Sequence, residues 1–383
     1  MLTVHTLESA DALRIMAPVW NDLWQRSAVT LPSSRAEHIA HWLETFAPDA
    51  QFKALVVEQD CRLVAALPLV EGRVGRLFKV GTLPGNDWFP SADLLADPLA
   101  EEGVYDALVA AIEQVGWSML SFEAVNLESS RWQAFVEALE RTQSPWASRE
   151  RFAIGITDVG RDWTDYQEGW SSNHRRHMRK SEARALRAGE LKLTIFDRPN
   201  EDEIESLLRR GFEIEDACWK GMRGSSVLKS PQIFEFYLEQ ARELARADQL
   251  SLVFLESAGR TIAFEYGWNS KAVYHSLKVG YDETASELSP GQLLRLKLLE
   301  RFYAEGQQRW VDFLGPITPA TEKWSTRSYL MSRLIVATHR PLIRLLLDAY
   351  SWSRGLRRHV SLPAPPAVPQ PVGVAVPMAV HSE

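Results

Sequence analysis

Residues 271–306 read KAVYHSLKVGYDETASELSPGQLLRLKLLERFYAEG, a strand-like segment and a leucine-rich segment joined by a polar loop. The first part is short, aromatic and β-branched, which predicts a β-strand. The last part has the apolar content and length of an α-helix. Ser289, Pro290 and Gly291 stand at the start of that helix. The stretch therefore predicts a strand, a loop and a helix, in that order.

The start of this helix allows two interpretations. Ser289 can cap the helix, Pro290 suits its first position and Gln292 completes a capping box, so helix initiation alone explains the motif. Alternatively, the amides of Gly291 to Leu294 stay open and, with the positive end of the helix dipole, bind a pyrophosphate. Pro290 has no N–H, which makes this cradle one donor shorter than a full phosphate loop. Both interpretations stay open on the sequence.

The surrounding segments follow a regular order of strand, two helices, three strands, helix and strand. In the second half these are LKLTIFD, EDEIESLLRRGFEIEDACW, PQIFEFYLEQARELARA, QLSLVFLES, RTIAFEYGWN, KAVYHSLKVGYD, QLLRLKLLERFYAEG and RWVDFLG. The first half has the same order, from LTVHTL to WSMLSFEAV. A repeat of about 200 residues indicates a duplicated domain rather than a solenoid. The predicted fold class is α/β, with two similar domains whose mixed, mainly antiparallel sheets are flanked by helices.

The predicted domain boundaries follow from these elements. We expect an N-terminal domain over 1–158, a basic linker helix over 159–190, a C-terminal domain over 191–338, an amphipathic helix over 339–360 and a proline-rich disordered tail over 361–383. The segment 342–359 either docks on the domains or lies on an anionic membrane surface.

The composition limits the class of protein. The chain contains 43 Lys and Arg against 50 Asp and Glu, a formal charge of −7, which argues against a protein that coats nucleic acid. Cys61 and Cys218 suggest neither a disulfide framework nor a metal site, so we expect no metal. The N-terminus lacks the pattern of a signal peptide and no apolar run has membrane-spanning length, so a cytoplasmic location is predicted.

Residues 174–180, HRRHMRK, are the most charged stretch of the chain. On a helix, the cations from Arg175 to Arg187 occupy one half of the cylinder, opposite Met178 and other residues that pack. The simplest interpretation is a solvated basic face. The alternatives are an anionic ligand and, as the minor one, nucleic acid. The candidate anion contacts are Arg175, Arg176, Arg179 and Lys180.

Several motifs together resemble one family. The tripeptide Cys218-Trp219-Lys220, the segment GYDETASELSPGQLL, the strand VDFLG and the pair Lys323-Trp324 are similar to motifs of the GNAT-like acyltransferases of the CelD type, which are related to the FemAB aminoacyl transferases. The likeness is close over residues 160–330 and reaches the first half only through element order. The chain departs from the family pattern at Val311, where an aromatic residue is usual, and at Glu322, where a tyrosine often stands.

The resemblance implies an N-acyltransferase of the GNAT superfamily that moves an acyl group from a thioester to an amine, in polysaccharide or cell-envelope biosynthesis. Acetyl-CoA or another acyl-CoA would be the co-substrate, and a small-molecule or glycan amine the acceptor. Two alternatives remain, a FemAB-like transferase that uses aminoacyl-tRNA and a duplicated scaffold without activity. The FemAB relatives often carry a long helical insertion for tRNA. The sequence shows no such insertion, which argues against the transferase that uses aminoacyl-tRNA.

The resemblance also implies sites for the co-substrate. Amides near Val279 and Gly280 would hold the thioester oxygen, as an oxyanion hole does. The pyrophosphate would lie at the helix start, and the candidate residues are Ser289, Gly291, Gln292, Leu293 and Leu294.

Three residues are candidates for the proton acceptor. Glu265 interrupts an apolar strand, where burial would raise its pKa, unless it forms an ion pair with Lys278 or a hydrogen bond to a neighbouring strand. His275 titrates near neutrality without tuning, although single strand histidines are commonly structural. Asp312 ends a strand where open sheets place ligands, although aspartate there is also a common cap.

Three further residues are candidates for substrate contact. Trp219 ends a long predicted helix, and Lys323-Trp324 follows the last predicted strand. Lys323 would pair with an anion while Trp324 covers apolar surface of the acyl site. A solvated lysine beside a packed tryptophan is the alternative.

Overall fold

The structure is a computed structural model that describes residues 1–74, 78–218, 221 and 224–338. The candidate Trp219, with Lys220, lies outside the described residues. The same holds for the amphipathic helix expected at 339–360, including the segment 342–359, and for the tail at 361–383.

The predicted strands and helices occur in the predicted order, together with further strands and helices that the sequence did not predict. The strands are β1 Leu2–Leu7, β2 Phe52–Gln59, β3 Arg62–Val74, β4 Phe78–Thr82, β5 Leu95–Ala96, β6 Met119–Val125, β7 Trp146–Asp158, β8 Leu191–Phe196, β9 Leu250–Ser257, β10 Arg260–Ser270, β11 Val273–Tyr281, β12 Trp310–Pro316 and β13 Arg327–Ala337. The helices are α1 Ala10–Ile15, α2 Ala17–Arg26, α3 Ala36–Phe46, α4 Glu102–Ile112, α5 Ser130–Arg141, α6 Trp163–Glu168, α7 Ser172–Ala188, α8 Glu201–Asp216, α9 Pro231–Arg246, α10 Pro290–Glu305 and α11 Pro319–Glu322. Short 3-10 turns lie at Pro32–Ser34, Val227–Lys229 and Glu283–Leu288.

All of these strands join one sheet of 13 strands, where the sequence suggested two sheets. Its order is β1-β2-β3-β4-β6-β13-β7-β12-β11-β10-β9-β8, and β5 pairs with β3. Most neighbours are antiparallel, whereas β4 with β6 and β11 with β12 are parallel. The fold class predicted from the sequence, α/β with a mixed and mainly antiparallel arrangement flanked by helices, is confirmed.

The last strand of each half pairs with the other half. β13 lies between β6 and β7, and β7 also pairs with β12. β7 and β13 run antiparallel to each other over residues 146–156 and 327–336. Because main-chain hydrogen bonds cross the boundary predicted at residue 158, we propose that the two halves fold as one unit.

A single hydrophobic core connects the halves on one face of the sheet. It contains Trp20 and Trp24 of α2, Phe236 of α9 and Trp268 of β10. On the opposite face, α7 and α10 cover the second half while α4 and α5 cover the first. Met178 of α7 is buried there, as its position on the apolar side of the basic helix predicts.

Two glycines bring α8 close to the sheet. A Cβ at Gly211 would lie 2.3 Å from the Phe264 ring, and a Cβ at Gly280 would lie 2.7 Å from the Cα atom of Glu215. Neither position has room for a larger residue unless α8 moves away. The close packing of α8 against β10 and β11 therefore depends on these two positions.

The turn between β10 and β11 holds the second half against α2. Lys271 donates to the carbonyls of Trp24, Ser27 and Val29, at 2.8 Å for Ser27 and 2.7 Å for Val29. Its ammonium also lies 4.3 Å from the centre of the Trp24 ring. These carbonyls stand at or just after the end of α2, where backbone acceptors lack helical partners. One side chain therefore satisfies a helix end across the interface between the halves.

We expect the described halves to unfold together. Replacing Trp132, which is fully buried in the first half, with alanine should lower the free energy of unfolding by about 3–5 kcal/mol. A continuous sheet predicts one calorimetric transition that moves as a whole. Leu186→Ala is the control, because Leu186 is 57% exposed. Two transitions, of which only one moves, would contradict a single folding unit.

Candidate active site

The sheet opens between β11 and β12. These parallel strands pair at only three positions, Val273 with Trp310, Tyr274 with Val311 and His275 with Asp312. β11 then continues to Tyr281, paired with β10 on its other side.

β12 turns away immediately after the last of these pairs. Leu314 has a left-handed backbone with φ 56°, and its amide donates to Asp312 Oδ1 at 2.8 Å. The strand pairs again with β7 at Pro316. The result is a wedge between β11 and β12 with its apex at His275 and Asp312.

Helix α10 begins near the open end of this wedge, but its first turn differs from the prediction. Ser289 is left-handed, with φ 55°, and its side chain makes no capping hydrogen bond to the helix. Its carbonyl accepts from the amides of Gln292 at 2.9 Å and Leu293 at 3.0 Å. The Gln292 side chain instead accepts from Trp324 Nε1 at 2.9 Å. The predicted capping box is therefore wrong, because the left-handed cap turns the Ser289 hydroxyl away from the helix.

Fewer amides are open to a ligand than the predicted set from Gly291 to Leu294. Gln292 and Leu293 donate to Ser289, and Leu293 and Leu294 are buried. The Gly291 amide has no acceptor among the described residues. A Cβ at Gly291 would meet only the Tyr281 ring, at 3.5 Å, an ordinary contact distance. The surface beside Gly291 is therefore open to a ligand.

Glu265 is in a buried ion pair rather than facing the wedge. Its Oε2 accepts from Arg295 of α10 at 2.8 Å, and both side chains are buried. Arg295 also donates to Ser276 Oγ at 2.8 Å and lies over the Phe313 ring. These contacts match the structural alternative, with Arg295 as the partner instead of Lys278, and they argue against Glu265 as the proton acceptor.

His275 is also poorly placed to accept a proton. Its side chain is fully buried, and burial lowers its pKa to about 3. Its Nε2 atom lies 3.5 Å from Ser270 Oγ, and its Nδ1 atom has no partner in the described structure. The imidazole is therefore neutral at physiological pH and enclosed in the core, which fits the structural interpretation.

Asp312 combines the right position with a suitable pKa. It stands at the apex of the wedge, where Oδ1 accepts from the Leu314 amide and Oδ2 accepts from the Tyr329 hydroxyl at 2.8 Å. Burial raises its pKa to about 6, although both hydrogen bonds oppose that shift. Asp312 is half-buried, whereas the other two predicted proton acceptors, Glu265 and His275, are fully buried. Its position and its pKa near neutrality favour Asp312 as the proton acceptor.

The remaining co-substrate candidates lie along β11. Val279 is paired with Glu265, and Gly280 is paired with Phe264. Both residues lie beyond the last pair of β11 with β12. The close approach of α8 alone explains the glycine at position 280.

The anion candidates on α7 separate into two groups. Arg175 donates to the carbonyls of Gln167 at 3.2 Å and Glu168 at 3.0 Å, so it caps the end of α6. The other candidates point to solvent, and these are Arg176, Arg179 and Lys180.

Trp324 is a packing residue. It is 1% exposed, and its ring centre lies 4.6 Å from that of His174 and 5.2 Å from that of Trp170. Its carbonyl accepts from Thr157 and Tyr166, each at 2.6 Å. Trp324 therefore does not cover the acyl site from outside, whereas Lys323 is exposed.

Two residues of the site were not predicted. Arg295 was hidden inside a leucine-rich helix, where a single cation looks like a solvated position. Tyr329 belongs to β13, a strand outside the predicted repeat. Its pKa is raised well above the ordinary value by burial and by the adjacent Asp312.

Residues 172–324 match the family model for the acetyltransferase (GNAT) domain, and the match begins at the first residue of α7. No curated protein matches the chain. Residues 172–324 therefore form a GNAT acetyltransferase domain, and the protein is an acyltransferase.

Three solved structures share the fold. FemX is 9% identical over 86% of this chain and 97% of its own, with a TM-score of 0.55. A conserved protein of unknown function from Bacteroides thetaiotaomicron is 12% identical over 88% of this chain and all of its own, with a TM-score of 0.53. A C-terminal domain described as that of a lysylphosphatidylglycerol synthetase from Agrobacterium fabrum is 13% identical over 91% and 99%, with a TM-score of 0.52.

The described residues contain neither a metal-binding cluster nor a membrane-spanning helix. No cluster of three or more His, Cys, Asp or Glu side chains there is arranged for a metal ion. No helix in the same ranges is both long and apolar enough to cross a membrane.

The Glu265–Arg295 pair gives a direct test of its structural role. Glu265→Leu or Arg295→Met alone should lower the free energy of unfolding by about 3–5 kcal/mol, because each leaves one buried charge unpaired. The double variant should recover most of that loss in chemical denaturation. A stable Glu265→Leu protein without activity would instead make Glu265 the proton acceptor.

Proposed function

We propose that the protein is an acyl-CoA-dependent N-acyltransferase whose donor lies in the wedge between β11 and β12. The main support for this proposal is the opening of the sheet after His275 and Asp312, directly beside the accessible first turn of α10. A thioester chain placed along β11 would meet main-chain groups of the strand, and its diphosphate would reach the Gly291 amide. Helix N-termini favour such anions through their free amides and dipole.

Asp312 is the proposed proton acceptor for the amine. Residues paired across strands project to the same face of a sheet. Asp312 is in register with His275, and His275 with Trp268, so Asp312 lies on the face of the core shared by both halves. The donor diphosphate site is at α10, on the opposite face. The acceptor would thus approach the thioester from the side away from α10.

The first half would then line the acceptor site. Trp88, from the loop between β4 and β5, lies with its ring centre 4.7 Å from the Lys278 ammonium of β11. Its carbonyl accepts from Tyr237 of α9. This contact places a first-half aromatic residue beside the strand that forms one wall of the wedge. We therefore propose that the first half contributes to acceptor binding.

A FemAB-like transferase that uses aminoacyl-tRNA is the second candidate. The observation that favours it is the exposed cationic face of α7, together with the fold shared with FemX. The resemblance of the motifs to CelD-type proteins supports polysaccharide or cell-envelope biosynthesis in the cytoplasm as the proposed context of either reaction.

Substitutions at Gly291 test whether the start of α10 is open to the diphosphate. Gly291→Glu should abolish saturable CoA binding in calorimetry, because it puts a carboxylate where the diphosphate would lie. Gly291→Ala is the control and should bind within about threefold of the original protein, since its Cβ meets only ordinary contacts. Unchanged binding by the Glu variant would contradict the proposed site.

The role of Asp312 predicts a pH dependence. The carboxylate accepts a proton only when ionised, so kcat/KM should fall below about pH 6, the pKa to which burial raises this group. Asp312→Asn should lower kcat by about 10²- to 10⁴-fold without loss of fold. Tyr329→Phe removes a hydrogen bond to the ionised form and should move the acidic limb to higher pH. An acidic limb that both variants leave in place would exclude Asp312.

A further inference from the structure

The outward face of α7 carries a row of cations that line a shallow groove. Its groove of about 390 Å³ is lined by α7 residues alone. The residues are Arg176, Arg179, Lys180, Ala183, Arg184 and Arg187. Four of the cations, at 176, 180, 184 and 187, follow helical spacing along one side, so the row extends about 16 Å at 1.5 Å per residue.

No cation of this row has a carboxylate partner within the described ranges. Arg176 donates only to the amide oxygen of Asn173 at 3.3 Å, and Arg184 to the carbonyl of Glu287 at 3.1 Å. Several other exposed arginines of the second half are paired with a carboxylate, for example Arg198 with Asp248 at 3.1 Å. Like charges at this spacing repel one another. The positive charges of the row therefore lack the neighbouring carboxylates expected of a surface that serves solubility alone.

This row begins at the entrance of the donor site. His177 Nε2 lies 3.1 Å from Ser289 Oγ, at the start of α10, and Arg176 and Lys180 flank His177 within one helical turn. Arg184 reaches the loop that precedes Ser289. An anion held on the row and a diphosphate at Gly291 are thus neighbours and can belong to one ligand.

We infer that the cationic row of α7 binds the ribose 3′-phosphate of coenzyme A, and so selects a nucleotide-linked donor over a bare phosphopantetheine. The inference rests on the proposed function. Coenzyme A carries this phosphate monoester beyond its diphosphate, and the monoester has a charge of about −1.5 to −2 at neutral pH. Arginine forks form paired, charge-assisted hydrogen bonds to phosphate oxygens. The groove offers several such forks where the nucleotide end of the donor would emerge.

The test compares CoA with dephospho-CoA, which lacks only the 3′-phosphate, by calorimetry on the full chain. The original protein should bind CoA at least about tenfold more tightly. Arg176→Gln/Lys180→Gln should bind both ligands equally, at the affinity of dephospho-CoA. Arg198→Gln/Arg301→Gln, which removes the same charge from exposed positions elsewhere, should keep the preference.

The outcomes separate this inference from the proposed function. Equal binding of both ligands by the original protein, or a preference that survives in the Arg176→Gln/Lys180→Gln variant, would overturn the inference and leave the CoA donor intact. Binding of neither ligand would overturn both. Aminoacyl-tRNA bound by the original protein and lost in the same variant would assign the row to nucleic acid instead.

Discussion

The candidate site depends on one pair of parallel strands, β11 and β12, which separate after a short paired stretch. β11 and β12 pair for three positions and then diverge, because the backbone of β12 turns left-handed at Leu314 and the Asp312 side chain holds that turn. The same carboxylate that shapes the divergence stands at its apex. Opening the sheet and placing a titratable group at the opening are thus one structural event, and the proposed acyltransferase site is built on it.

The exchange of β7 and β13 between the halves determines which residues surround the opening between β11 and β12. Each half ends in a strand that the other half uses, and β13 brings Tyr329 across β7 to Asp312. Lys271 and the shared tryptophan core hold the first half against the face on which Asp312 lies. The candidate site in the second half is therefore surrounded by neighbours that only the joined sheet supplies.

Much of the fold could be predicted because its signals are local. Short strands separated by tight turns, and a leucine-rich helix opened by Ser289-Pro290-Gly291, identify β9 to β11 and α10 without any tertiary information. The site was less predictable because its contacts are not local. The partner of Glu265 lies on a helix 30 positions later, and the partner of Asp312 lies on a strand that crosses between halves. The Ser289 side chain likewise contacts His177 of α7, which the capping-box pattern does not reveal.

The most direct measurement of the central claim is a crystal structure of the full chain with CoA bound. We predict that the pantetheine chain lies between β11 and β12, with the sulfur near Asp312 and the diphosphate at the Gly291 amide. A CoA molecule bound elsewhere, with the space between the two strands filled by side chains, would contradict it.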